Sequence, residues 1–130
     1  MSIIRKNESV KIVIADDDTT TRYVLRLLLQ EQLYTVVGEA GDGEKAIELC
    51  TLHKPNIAFV DINMPGMNGH EASQQIRQSS PLTSIIMISA LSTLDNVRQA
   101  MQAAASGFVV KPFSAVKLTE AINNCLKKQA

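Results

Sequence analysis

The sequence predicts an α/β domain: a five-stranded parallel sheet with helices on both faces. Three observations carry that prediction. Short continuous apolar runs recur along the chain, among them Ile12-Val13-Ile14-Ala15 and Ile57-Ala58-Phe59-Val60. A strand that is apolar on both faces suits a parallel sheet buried between two helical layers. Segments of helical periodicity alternate with these runs, giving strand–helix units in succession. Finally, three of the runs end in reactive side chains: Asp16-Asp17-Asp18, Asp61 and Lys111-Pro112. Open α/β sheets place their sites at that carboxyl edge.

The elements follow in order. Residues 1–10 mix polar and apolar types without period and are expected to form a loose arm, with the domain over 11–130. Strand one is expected over about 11–15 and helix one over about 19–32, with Val24, Leu25, Leu28 and Leu29 on one face. Strand two is expected over about 35–39 and helix two over about 43–53, with Asp42 as N-cap. Strand three is Ile57–Val60, and helix three spans about 69–78. Strand four is Ile85–Ile88; helix four, about 93–104, is capped by Ser92 or Thr93. Strand five is Phe108–Val110, and helix five spans about 114–128 with Ser114 as its cap. No repeat or linker interrupts the pattern, and no output domain is expected after helix five.

A chain of 130 residues makes one domain able to bury a core without staples. The formal net charge is zero, so no overall field draws it to nucleic acid or membrane. The charge is unevenly placed: residues 1–65 hold 7 Lys/Arg and 10 Asp/Glu, and residues 66–130 hold 6 and 3. Acid therefore collects where the site is expected. Cys50 and Cys125 lie in apolar-periodic segments with no CxxC or Cys/His cluster, which predicts buried free thiols in a reducing cytoplasm. No stretch reaches the ~20 apolar residues of a membrane span, and no signal-peptide pattern opens the chain.

If strands one and three are neighbours, Asp16 and Asp17 share an edge with Asp61. Clustered carboxylates raise one another's pKa unless a cation sits among them. Oxygen-only ligands suit Mg²⁺. An EF-hand is excluded, because counting from Asp16 its sixth and twelfth positions are Thr21 and Leu27 rather than Gly and Glu. Asp18 is expected to do no more than decorate the start of helix one. A metal-bound aspartate can act as a nucleophile toward phosphorus, with Lys111 neutralising the transferring group. Ser89, directly after strand four, offers a hydroxyl to a phosphate oxygen.

Together these residues resemble the receiver domain of bacterial two-component response regulators. The likeness rests on Asp16-Asp17, on Asp61-x-Asn63-Met64-Pro65-Gly66-Met67-x-Gly69, on Ser89-Ala90 and on the run from Ala105 to Phe113. It is nearest to the stand-alone chemotaxis-type receiver. The resemblance implies a flavodoxin-like sheet of order 2-1-3-4-5, as in the chemotaxis receiver that exemplifies this order. It implies that a histidine kinase donates a phosphoryl group to Asp61. It makes Asp17, Asp61 and the carbonyl of Asn63 ligands of Mg²⁺, with Asp16 acting through water. Lys111, Ser89 and its neighbour Ala90 would face the phosphoryl group, Ser89 and Phe108 would form the switch, and Asn63 and Leu91 would tune hydrolysis. Ser89 stands where threonine is frequent, and Phe108 where tyrosine is frequent.

The same resemblance makes the chain a switch rather than an enzyme. It is read out on helix four, strand five and helix five, by a downstream protein, by a phosphotransfer protein in a relay, or by a phosphorylation-linked homodimer. An excised receiver of a larger transcriptional regulator is the other arrangement, and direct binding to nucleic acid is not expected. The basic excess of residues 91–130 suggests an acidic partner. Two other readings compete. Gly41-x-Gly43-x-x-Ala46, with Asp61 downstream, matches a dinucleotide-binding pattern, but a tight turn with Asp42 as cap explains it without leaving Asp16, Asp17, Ser89 and Lys111 unaccounted for. An aspartyl-phosphate phosphatase of the haloacid dehalogenase type needs a second acid where Asn63 stands. His53 and His70 are isolated and are expected to be solvated.

Overall fold

The computed structural model describes residues 7–90, 94–102 and 105–129. Its elements are β1 Lys11–Ala15, α1 Thr19–Glu31, β2 Thr35–Ala40, α2 Gly43–His53 and β3 Ile57–Asp61, then α3 Gly69–Ser79, β4 Ser84–Ser89, α4 Leu94–Gln102, β5 Gly107–Val110 and α5 Ala115–Gln129. The strands form one sheet in the order β2-β1-β3-β4-β5, and all neighbouring pairs are parallel. This is the flavodoxin-like order, and it places β1 beside β3.

Alternation along each strand divides the apolar runs between two cores. Ile12, Ile14, Ile57, Phe59, Ile86, Ile88 and Val109 pack with Leu25 and Leu29 of α1 and Leu118, Ile122 and Cys125 of α5. Val13, Ala15, Ala58, Val60, Ile85 and Met87 face the other way, against Ala46 and Cys50 of α2 and Ala72 and Ile76 of α3. Burying one such large side chain stabilises by about 2 kcal/mol, against about 1 kcal/mol for a good helix cap. The cores therefore set the stability and the caps set the ends.

Side-chain caps open four of the helices. Asp18 accepts from Thr20 N at 3.2 Å and from the Thr21 hydroxyl at 2.6 Å, which confirms its part as the start of α1. Thr21's hydroxyl is the main reason its carboxyl lies below the ordinary range. Asp42 caps α2 through Lys45 N at 2.8 Å, and Asn68 caps α3 through Glu71 N at 3.0 Å. Ser114 Oγ accepts from Lys117 N at 3.2 Å, just ahead of α5.

The differences from expectation have physical causes. Asp61 and Ser89 are the last residues of β3 and β4 rather than the first residues beyond them. Backbone pairing continues past the apolar run, with Ile62 N donating to Ile88 O at 3.0 Å and Lys111 N to Ser89 O at 2.8 Å. Val24 is 44 % exposed rather than part of the buried face of α1; it lies about 120° around the helix from the centre of the Leu25–Leu29 stripe, at ~100° per residue. Residues 7–10 are not a loose arm. Asn7 Nδ2 donates to Gln32 O, the Thr35 hydroxyl donates to Glu8 O, and Val10 is buried in the core. The Ser92 or Thr93 cap, the outer ends of helix four and Leu91 lie outside the described residues. Cys50 and Cys125 are free and buried; burial pushes the Cys50 thiol up to about 12 and the Cys125 thiol above its ordinary value, which disfavours the nucleophilic thiolate of each. Among the described residues no helix is long and apolar enough to cross a membrane.

Candidate functional site

Strand order brings the site together. Asp16 and Asp17 leave β1, Asp61 closes β3, and β1 lies beside β3. Lys111 follows β5, two strands away, and its length spans the gap. Its Nζ lies 2.8 Å from Asp16 Oδ2 and 2.9 Å from Asp61 Oδ2. The other oxygens of both carboxylates are held by main chain: Asp61 Oδ1 accepts from Asn63 N at 3.0 Å, and Asp16 Oδ1 from Asp18 N at 2.9 Å. Asp16 and Asp61 are only 1 % and 4 % exposed, whereas Asp17 and Asn63 face solvent.

The electrostatics differ from mutual repulsion alone. Burial is the main reason that the Asp61 carboxyl is pushed up to about 6, and the neighbouring Asp16 adds to it. Lys111 and the Asn63 N–H pull the other way. For Lys111 burial lowers the pKa, but its contacts with Asp16 and Asp61 outweigh burial and the net shift is upward. The site thus sets a charged ammonium against a buried acid whose pKa is raised above the ordinary carboxyl range. Shifted acids of this kind cluster at functional sites.

Asp16, Asp17 and Asp61 each offer one oxygen, and the three lie within 4.8 Å of one another. Asp16 Oδ2 is buried and receives no well-directed hydrogen bond; its contact with Lys111 is ionic. An under-satisfied buried acceptor beside two more carboxylates suits a hard divalent cation, and the all-oxygen donor set does not suit a thiolate- or imidazole-seeking metal.

The other expected residues fall into place around this centre. Ser89 is 1 % exposed at the end of β4, and Ala90 is exposed in the bend after it. Met87 pairs with Phe108, and Ser89 with Val110. By alternation Ser89 and Phe108 therefore share a face of the sheet. Phe108 is half-buried and packs on the core of that face. The peptide between Lys111 and Pro112 is cis.

Gly69 was not foreseen as a site residue. A Cβ built on it would lie 2.2 Å from Asp61 O and 2.8 Å from Ile62 Cα, so only glycine lets α3 start against the backbone of Asp61. The signal available in the sequence was a second glycine three residues past the Pro65-Gly66 turn, which that turn does not need. Gly43 likewise meets Met67 closely, with a built Cβ 3.1 Å from its Cβ and carbonyl. The Gly41–Ala46 pattern thus shapes a turn and a helix start. The strands that flank it, β2 and β3, are separated by β1, which is not the adjacent pair of a dinucleotide unit. His70 is not the solvated histidine expected, since both ring nitrogens are buried without a hydrogen-bond partner among the described residues.

The family model of the response regulator receiver domain matches residues 12–123. The transcriptional regulatory protein PdtaR of Mycobacterium tuberculosis is 40% identical over 112 residues, 86% of this chain and 54% of PdtaR. The chain thus spans about half the length of that relative. The chemotaxis protein CheY of Bacillus subtilis is 39% identical over 116 residues, 89% of this chain and 97% of CheY. Among solved structures, the signal receiver domain of the putative response regulator NarL from Mycobacterium tuberculosis aligns with a TM-score of 0.82 at 36% identity, covering 91% of this chain and 96% of that one. A chain of the CheX-CheY-BeF3-Mg complex from Borrelia burgdorferi aligns with a TM-score of 0.87 at 26% identity, covering 96% and 98%.

Proposed function

This chain belongs to the response regulator receiver domain family, and on that premise we propose that Asp61 accepts a phosphoryl group from a histidine kinase and relays its arrival to a partner surface. The observation that carries the proposal is one buried carboxylate held at both oxygens, by the Asn63 N–H and by Lys111, at the open edge of the sheet.

The residues divide the work as follows. Asp61 attacks phosphorus through a carboxylate oxygen, and the bond from phosphorus to the donor's leaving group breaks as the acyl phosphate forms. Asn63 N–H fixes the rotamer of the attacking carboxylate. Lys111 shields its charge before transfer and pairs with the phosphoryl oxygens afterwards. Asp17 and Asp61, with the Asn63 carbonyl and with Asp16 through water, would hold Mg²⁺, which would neutralise charge on the transferring group. Ser89, with Ala90 beside it, hydrogen-bonds the new phosphate. Phe108, on the same sheet face, turns inward as Ser89 moves. The group adds two negative charges at most and strong acceptor oxygens, and the switch needs only a differential preference for the inward state.

The chain is a phosphoacceptor without substrate turnover, working in the cytoplasm. Its readers bind α4, β5 and α5 as a downstream protein, a phosphotransfer protein or a second copy of this chain. Lys111 is committed to the site, which leaves Arg98, Lys117, Lys127 and Lys128 to favour an acidic reader. Likeness to about half of PdtaR and to nearly all of CheY fits the same switch within a longer regulator or by itself.

Acetyl phosphate with Mg²⁺ should add one phosphoryl group to the wild type and none to Asp61→Asn, read by intact mass. Equal labelling of the two proteins would remove Asp61 from its role. Mg²⁺ should also stabilise the fold by mass action, by about 2.7 kcal/mol at a free concentration 100-fold above its dissociation constant. Asp17→Ala should lose more of that gain than Asp16→Ala, because the first loses a direct ligand. A melting midpoint indifferent to Mg²⁺ would sink the metal site.

A further inference from the structure

We infer that Arg22 is a positioning residue for the metal-binding aspartates, acting through the peptide that joins Asp16 to Asp17. The inference rests on the Mg²⁺-dependent reading above. Arg22 is the fourth residue of α1. Its Nη1 reaches back across the β1–α1 bend and donates to the backbone carbonyl of Asp16 at 2.6 Å. Its Nε lies 3.6 Å from Glu39 Oε1 on β2, and its side chain is 20 % exposed.

The contact matters because of what else holds the two aspartates. Asp16 is tied at its N–H, which donates to Ala40 O at 3.0 Å, and at Oδ1, which accepts from Asp18 N at 2.9 Å. Asp17 is exposed, and no hydrogen bond to its carboxylate is found among the described residues. The direction of that carboxylate is therefore set by its backbone. The Asp16 carbonyl and the Asp17 nitrogen belong to one planar peptide, so a donor on the carbonyl fixes the plane from which the Asp17 side chain departs. Glu39 anchors the guanidinium that does this, and the fork geometry of arginine lets one side chain serve both partners. Outer groups that orient ligands typically change metal affinity by about 10–100-fold when removed.

Arg26 supplies an internal control. It pairs with the same Glu39 carboxylate and lies over the Tyr23 ring at 5.4 Å, but no hydrogen bond joins it to Asp16. The experiment is a calorimetric Mg²⁺ titration of each folded protein, with thermal melts alongside. Arg22→Met should weaken Mg²⁺ binding about tenfold. Arg22→Lys should recover part of the loss, because an ammonium can reach the carbonyl but cannot also fork to Glu39. Arg26→Met should shift the melting midpoint and leave Mg²⁺ affinity as in the wild type. If Arg22→Met does not fold, Arg22→Lys and Glu39→Gln carry the test, each expected to weaken binding several-fold. Wild-type affinity in the Arg22 variants, or an equal loss in Arg26→Met, overturns the inference while the proposed function stands. A wild type that takes up no Mg²⁺ overturns the metal reading itself, and the inference with it.

Discussion

In metal-free buffer at neutral pH, Asp61→Asn is expected to be more stable than the wild type by about 2–3 kcal/mol. The sign follows from the shift of Asp61 from 3.8 to about 6, caused chiefly by burial and then by Asp16. Below pH ~4 the carboxyl is protonated whether the chain is folded or not, and the site costs nothing on this account. Between pH ~4 and ~6 the unfolded chain loses its proton first, so the folded state loses stability as pH rises. Above ~6 the full penalty is present. Asparagine cannot ionise, and Asp16 still holds Lys111 in the variant. The difference between variant and wild type should therefore grow across that window, read by urea melts with chelator at pH 4, 5, 6 and 7. Saturating Mg²⁺ should close the gap from the wild-type side. A difference that is constant with pH would mean that the buried acid does not titrate as described.

The same carboxylate shows why much of the site could be read before the fold was known. Asp16, Asp17, Asp61 and Lys111 all follow apolar strand runs, and parallel strands deliver such residues to one edge. Alternation also foretold two cores, because each strand is apolar on successive residues. The strand order was not contained in that alternation, which fits several doubly wound sheets. It came with the resemblance, carried by Asp61, the loop to Gly69, Ser89 and Lys111.

What escaped the sequence depends on close approach and on the far side of contacts. Val24 looks like a core residue by type, yet its place on α1 exposes it. Val10 sits in a stretch without period, yet it fills the core as the chain enters β1. His70 carries no sign in its neighbours that both ring nitrogens are buried. Arg22 is one of two arginines on α1 until the chain folds and sets it against the carbonyl of Asp16.

Gly69→Ala is the substitution expected to damage both fold and site. Its Cβ would stand 2.2 Å from the carbonyl oxygen of Asp61 and 2.9 Å from the carbonyl carbon. These are backbone atoms, so no flexible side chain can move aside. Gly69 N also donates to Ile62 O at 2.9 Å, which ties the start of α3 to the strand end it would have to leave. Overpacking of this kind costs about 3 kcal/mol, and relief requires α3 or the end of β3 to shift. A shift of β3 moves Asp61 relative to Lys111 and the Asn63 N–H, so phosphorylation by acetyl phosphate should slow about tenfold or more even where the protein remains folded. Gly66→Ala is the matched control. Its φ of +75° carries a strain penalty, but a Cβ there meets nothing within 4 Å. It should cost about 1 kcal/mol and leave the phosphorylation rate near that of the wild type. The comparison separates a glycine needed for its backbone angle from one needed for its missing side chain. If the two variants were equally stable and equally fast, the approach of α3 to Asp61 would not be what holds the acceptor in place.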